Sequence, residues 1–181
     1  DPRSAVGVWL DFAKEHDGWE NKAVFCMLSG AEAGRAFFGN KDIAGQKTEW
    51  RHRKVKFLAE QGFELCNHTH WHATLSKYDD EKFVQEQIAR LQLAVDSAVP
   101  GYRIGSFALP LGEWPKNTEL ARRGSWTDPA SGKTTTYEHD IVLLVAGGPA
   151  RSPHDPEFDG MHVRRVQVFG DELVRTLDRL D

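Results

Sequence analysis

The chain has 181 residues, 40% hydrophobic and 28% charged, with a formal net charge of −4. That length fits one domain with its own core, and so much apolar content at so small a net charge excludes a disordered chain. The negative balance argues against a general nucleic-acid binder, which needs a basic face, and no apolar run is long enough to span a bilayer.

The first residues after Ser4, a good N-cap, place Val6, Trp9, Leu10 and Ala13 on one helical face, and Asp17-Gly18 stops that helix. Ala23 to Leu28 is a continuous apolar run, as expected of a strand buried on both faces. A Gly/Ala/Asn-rich loop covers 29–46, and 47–61 reads as a helix ended by Gly62. That helix carries Lys47, Arg51, Arg53, Lys54 and Lys56, interrupted by Glu49 and Glu60. It reads as a solvated face, with a polyanion contact as the other reading. Phe63 to Asn67 is a second strand. Asp79 is the expected cap of a long helix whose face is Val84, Ile88, Leu91, Val95 and Ala98, stepping by helical spacing. Pro100-Gly101 ends it.

Tyr102 to Leu109 then reads as a strand, 115–123 as a short helix and Ser125 to Thr127 as a short strand. The stretch 128–136 reads as a polar surface excursion, and 141–146 as another buried strand. A Pro/Gly/Asp-rich loop fills 147–161, 163–169 alternates like a strand, and Asp171 caps a last helix to Leu180. Strands separated by helices predict parallel pairing, either in an α/β barrel, complete or not, or in a doubly wound sheet. In both architectures sites form at the carboxyl ends of strands.

Cys26 and Cys66 lie in separate apolar runs and read as buried free thiols rather than a disulfide framework, which leaves the redox compartment open. The first residue is Asp1 rather than a methionine, so the absence of a signal peptide says nothing about secretion.

Three of the eight histidines, His68, His70 and His72, fall within five residues directly after the second strand. His68 and His72 are four apart, so one helical turn or a tight loop brings both imidazoles to one side. Two neutral imidazoles suit zinc or a similar divalent ion; the bland alternative is a surface His-rich loop. Thr69 can hydrogen-bond the local backbone and fix the turn. A catalytic zinc site wants three protein ligands and a water. Asp42, Asp128, Asp140 and Asp155 all lie in loops, and each reads first as a solvated or turn-forming acid.

The segment Phe63-Glu-Leu-Cys-Asn-His-Thr-His-Trp-His-Ala-Thr-Leu75 resembles the second motif of the NodB-homology polysaccharide deacetylases, carbohydrate esterase family four. That motif reads Gly-Asn-His-[Ser/Thr]-x-x-His and follows a helix ending in Gly. Later features match in order: a long helix opening on acidic residues, Pro100-Gly101-Tyr102, and a strand ending in Ala108-Leu109-Pro110-Leu111-Gly112. The resemblance covers most of 1–170 and implies a single domain over 1–181 with a distorted (β/α) barrel. It implies removal of acetyl groups from N-acetylated sugars of the chitin, peptidoglycan or exopolysaccharide type, outside the cell or at its envelope. It also implies that His68 and His72 hold a divalent metal, Zn or alternatively Co, Ni or Mn. In such chemistry a metal polarises the carbonyl and lowers the pKa of its water, a carboxylate takes the proton, and a backbone N–H shares the oxyanion.

The departures from the family pattern are specific. Its first motif, Thr-Phe-Asp-Asp on the first barrel strand, supplies the base and the third metal ligand, and it is absent here. The chain is therefore expected to begin after that strand, N-terminally incomplete, with 23–28 left as a bare sheet edge. In the third motif Ala108 replaces the arginine and Leu111 the tyrosine; Leu111 still offers its backbone N–H as oxyanion donor. Arg165, within Val163-Arg-Arg-Val166, is a candidate to reach in from another strand; otherwise Arg164 and Arg165 read as one exposed and one snorkelling residue. Among His139, His154 and His162 as general acid, His154 is favoured, because its loop follows strand 141–146 while the other two precede strands. Trp71, Pro110 and Trp114 are the expected substrate contacts, with core or rim packing as the plain alternative for the two tryptophans. The leading expectation is thus a polysaccharide deacetylase, a hydrolase of non-peptide carbon–nitrogen bonds. Its alternatives are a non-catalytic glycan-binding module on the same fold and a structural zinc protein unrelated to sugars.

Overall fold

The computed structural model describes residue 2, residues 4–30 and 47–166, and residues 175, 178 and 179. Helix α1 (Ala5–Glu15) starts on Ser4, whose hydroxyl accepts from the Gly7 N–H at 3.0 Å. Strand β1 (Val24–Met27) follows, then α2 (Arg51–Glu60), entered through a short 3-10 turn, and β2 (Glu64–Asn67). Helix α3 (Glu81–Ala98) is capped by Asp80 rather than by Asp79: Asp80 accepts from the N–H groups of Lys82 and Phe83, while Asp79 pairs with Lys116. Strand β3 (Ser106–Ala108) and the one-turn helix α4 (Glu119–Arg122) lead to β4 (Arg123–Thr127), β5 (Thr134–Glu138), β6 (Ile141–Gly147) and β7 (Val163–Arg165).

The main sheet is parallel, in the order β1-β2-β3-β6-β7. Its central strands are buried on both faces, as a parallel sheet under helices demands: Leu65, Cys66 and Asn67 of β2 and all of β3 are buried. Among the described residues the sheet stays open, with β1 at one edge and β7 at the other. Two apolar clusters fill it. One packs Met27, Leu65 and Phe63 against Val55, Leu58, Leu91 and Val95, with Val6, Trp9 and Leu10 of α1 at its rim. The other packs Phe107, Leu109 and Val142 against Val84, Ile88, Leu120 and Tyr137.

Two expectations need correction. Residues 128–136 are not wholly a surface excursion, because β4 and β5 pair as an antiparallel hairpin around a turn at 128–133. Thr135 and Tyr137 point inward while Thr134, Thr136 and Glu138 face solvent. A threonine run looks like loop in composition, yet β-branched and aromatic residues suit a half-buried pleat. The second correction concerns the cysteines. Parallel register sets Cys26 opposite Cys66, and the two sulfurs are joined as a disulfide across β1–β2. Each apolar run alone says nothing of that register. The expected continuation of β7 through 167–169, most of the helix from Asp171 to Leu180, and loop 31–46 with Asp42 lie outside the described residues.

Candidate functional site

The carboxyl ends of β2 and β3 carry His68, His72 and the 108–112 turn. The β1–β2 ladder runs one residue past the strand, through His68 N–H to Met27 C=O at 3.0 Å. The chain then turns sharply. Asn67 is fully buried and works on both sides: its Oδ1 accepts from Thr69 N–H at 2.9 Å, and its Nδ2 donates to the Ile88 carbonyl of α3 at 3.0 Å. Thr69 Oγ1 accepts from His72 N–H at 3.0 Å. Helix α3 also holds the loop through Gln87, whose carbonyl accepts from His70 N–H and whose Oε1 accepts from Trp71 N–H.

This turn is a tight loop, not a helical one. Thr69 (φ 74°) and His72 (φ 63°) sit in the left-handed region, and so does Leu111 (φ 58°) in the turn after β3. Among the described residues these are the non-glycine positions with positive φ. Such conformations cost free energy and persist where surrounding bonds impose them, often at functional sites.

The result is a matched pair of imidazoles. The His68 and His72 ring centroids lie 4.7 Å apart, nearly perpendicular. His68 Nδ1 lies 2.7 Å from the Ala108 carbonyl. A carbonyl only accepts, so Nδ1 carries the proton and Nε2 keeps a free lone pair, which is how second-sphere bonds prepare an imidazole for a metal. Burial holds the His68 pKa below its ordinary value, with His72 and Arg165 adding to the effect against the Ala108 bond, so the ring is neutral near pH 7. Arg165 is half-buried and its Nε donates to the Leu144 carbonyl, which sets its charge near His68.

His70 does not join the pair. Its Nδ1 meets Ser29 Oγ at 2.8 Å, and its ring packs against Gly30, where an added Cβ would come within 2.1 Å of it. The contact fixes the loop after β1 to the loop after β2. Burial, helped by Arg90, lowers the His70 pKa to about 4.

The other predicted residues are more spread out. Pro110 is buried, Leu111 is 61% exposed, and Leu109 N–H bonds Leu143 C=O, so the third-motif turn sits beside β6. Trp71 is 51% exposed, tilted against Phe83 and with the Arg90 guanidinium over its ring. Trp114 is partly buried, packed on the second core cluster and against His162, which itself pairs with Asp159. His154 is exposed in the loop after β6, with its own N–H on Ser152 Oγ. His139, at the amino end, is buried between Phe107 and Tyr137. Arg164 is the exposed partner of Arg165.

The carboxylates behave as local structure. Asp128 caps its own turn, Asp140 holds Arg103 in a two-pronged pair at 2.7 and 2.8 Å, and Asp155 holds Arg151. Among the described residues no group of three His, Cys, Asp or Glu converges as a metal site. His68 and His72 thus supply two nitrogen donors where a catalytic zinc site asks for three protein ligands. The donor set among the described residues is therefore short of one protein ligand.

The sequence profile of the family described as Polysaccharide deacetylase matches residues 11–124. The chain belongs to the polysaccharide deacetylase family. No curated protein and no solved structure gives a significant match. The deacetylase match takes in β1 to β3, the His68–His72 loop and the 108–112 turn, and ends within β4. The family is generally metal-dependent and acts on polysaccharides. Of the residues that shape the His68–His72 loop, Gln87 and the Ala108 carbonyl have no local signature in the sequence. Asn67 reads in the sequence only as the end of the second strand, although an Asn two positions before Thr69 is a turn-forming signal.

Proposed function

We propose that the chain removes acetyl groups from N-acetylated sugars in a polysaccharide, using a divalent metal of the zinc class held by His68 and His72. The observation that carries this reading is the His68–His72 pair, with Nδ1 of His68 committed to Ala108 and Nε2 left available. When bound, such an ion supplies Lewis acidity and an activated water. In this reading the backbone N–H of Leu111 shares the developing negative charge, and Arg165 adds positive potential beside His68. His154 serves as general acid, and Trp71, Pro110 and Trp114 form the sugar-contacting rim. The sheet takes its strands in chain order once the β4–β5 hairpin is set aside, which supports an incomplete (β/α) barrel as the single domain over 1–181. The Cys26–Cys66 disulfide supports an oxidising, extracytoplasmic location. Among the described residues no helix is long and apolar enough to cross a membrane.

A donor set of two among the described residues favours one alternative, a glycan-binding module that keeps the fold without the chemistry. Acetate release from N-acetylglucosamine oligomers with added zinc or cobalt separates them. Metal-dependent release that His68→Ala abolishes supports the enzyme. Oligomer binding with no acetate released, at any metal loading, rejects it in favour of the binder.

A further inference from the structure

We propose that Tyr78 and Phe83 extend the Trp71 contact into a second sugar subsite, so that the site reads a glycan by its length, holding several units of a chain rather than a lone sugar. The inference rests on the reading above only for the ligand being a glycan. The chain from Trp71 to Asp80 runs from the histidine turn to the start of α3. Because α3 connects the parallel strands β2 and β3, it begins at their carboxyl ends. Trp71, Tyr78 and Phe83 therefore stand at the same end of the sheet as His68 and His72.

These rings are held in place yet left open. The Trp71 and Phe83 centroids lie 6.4 Å apart and those of Tyr78 and Phe83 4.4 Å, so Phe83 joins the other two into one patch. The Arg90 guanidinium stands 5.9 Å from the Trp71 centroid and is itself tied to Glu86 at 3.0 Å. Despite these restraints Trp71 and Tyr78 stay 51% and 39% exposed. A ring fixed before its ligand arrives binds without a further ordering cost. The C–H groups of a sugar ring carry the partial positive charge that an aromatic face attracts. One pyranose is about the size of one such ring and stacks on one of them, so filling both Trp71 and Tyr78 takes a chain. The hydroxyls of that chain need polar partners at the rim. Tyr78 is flanked in the chain by Ser76, Asp79 and Glu81, which bond Glu113, Lys116 and Asn117 respectively. These pairs set donors and acceptors along the patch. The patch continues directly from the turn that holds His68 and His72, in a chain whose family acts on polysaccharides.

The test is titration of the full chain with β-1,4-linked N-acetylglucosamine oligomers, from the monosaccharide to the hexamer. The parent's affinity should rise with length. Tyr78→Ala should weaken hexamer binding by about fivefold to tenfold and leave monosaccharide binding as it was. Tyr78→Phe, which keeps the ring, should bind as the parent does, and circular dichroism checks that each variant is folded. In the parent itself the hexamer should shift the Tyr78 ring resonances by NMR and the monosaccharide should not, a readout that needs no variant. Affinity that does not rise with length in the parent, equal loss at every length in folded Tyr78→Ala, no loss at any length, or unmoved Tyr78 resonances with the hexamer each overturns the proposal. Acetate release with added zinc is followed on the same oligomers. Release with a length profile that Tyr78→Ala leaves unchanged removes the subsite and keeps the deacetylase reading. A Tyr78-dependent length profile of binding without any release supports the subsite and removes the chemistry.

Discussion

The buried ring of His139 makes the stability of this protein sensitive to mild acid. It is 1% exposed and stacked between Phe107 (5.1 Å) and Tyr137 (5.4 Å). Its Nδ1–H donates to the Ala121 carbonyl at 2.7 Å, and Nε2 is buried without a partner. Protonating Nε2 would place a charge and an unmatched N–H inside the core, so burial lowers the pKa from 6.5 to about 4. A folded pKa below the unfolded one means that the unfolded chain binds more protons through this window. The stabilisation is therefore complete above 6.5 and is lost as pH falls toward about 4. From about pH 7 to about pH 4 the loss amounts to about 3 kcal/mol from this group. The assay is urea unfolding at both pH values for the parent and for His139→Phe, which keeps a flat ring in the stack but cannot titrate. The variant starts about 1 kcal/mol less stable for the lost hydrogen bond. Its stability should then fall about 3 kcal/mol less on acidification than that of the parent. Carboxylates titrate in both chains and cancel. Equal acid sensitivity in the two proteins refutes the reasoning.

Three more outcomes follow from the same geometry. His68→Ala and His72→Ala should each abolish stoichiometric zinc uptake, read by equilibrium dialysis with elemental analysis; full stoichiometry in either variant removes the pair as a metal site. Reducing Cys26–Cys66, or replacing both by Ser, reopens a loop of sequence separation 40 and should lower unfolding stability by about 4 kcal/mol. Matching denaturation midpoints with and without reductant would contradict that. Asn67→Ala breaks the bonds to Thr69 N–H and Ile88 C=O inside a buried turn. It should cost about 3 kcal/mol and disturb the His68 and His72 ring resonances by NMR, whereas unmoved resonances would show that Asn67 does not set the loop.

Local features of this chain are legible in residue spacing. The α3 stripe from Val84 to Ala98 emerges as a buried face because its period is that of a helix, and Ser4 caps α1 because a hydroxyl there can reach an open N–H. The placement of two histidines four apart after a buried strand pointed to the mouth of the sheet, where the structure sets them. One-residue choices were harder: Asp80 rather than Asp79 caps α3, since Lys116 from a distant segment takes the other carboxylate. The β5 strand was obscured by its polar composition, because half of each strand residue's environment comes from a partner strand.

The amino-acid order alone determined the periodicities, the caps and the pairing of residue types within a turn, since those interactions span only a few positions. The tertiary structure decided which residues meet across about forty positions of chain: Cys26 with Cys66, His68 with the Ala108 carbonyl, Ser29 with His70. Those contacts depend on strand register and on how α3 packs beneath the loop. Both are fixed by burial summed over the whole core, which no short window of sequence contains.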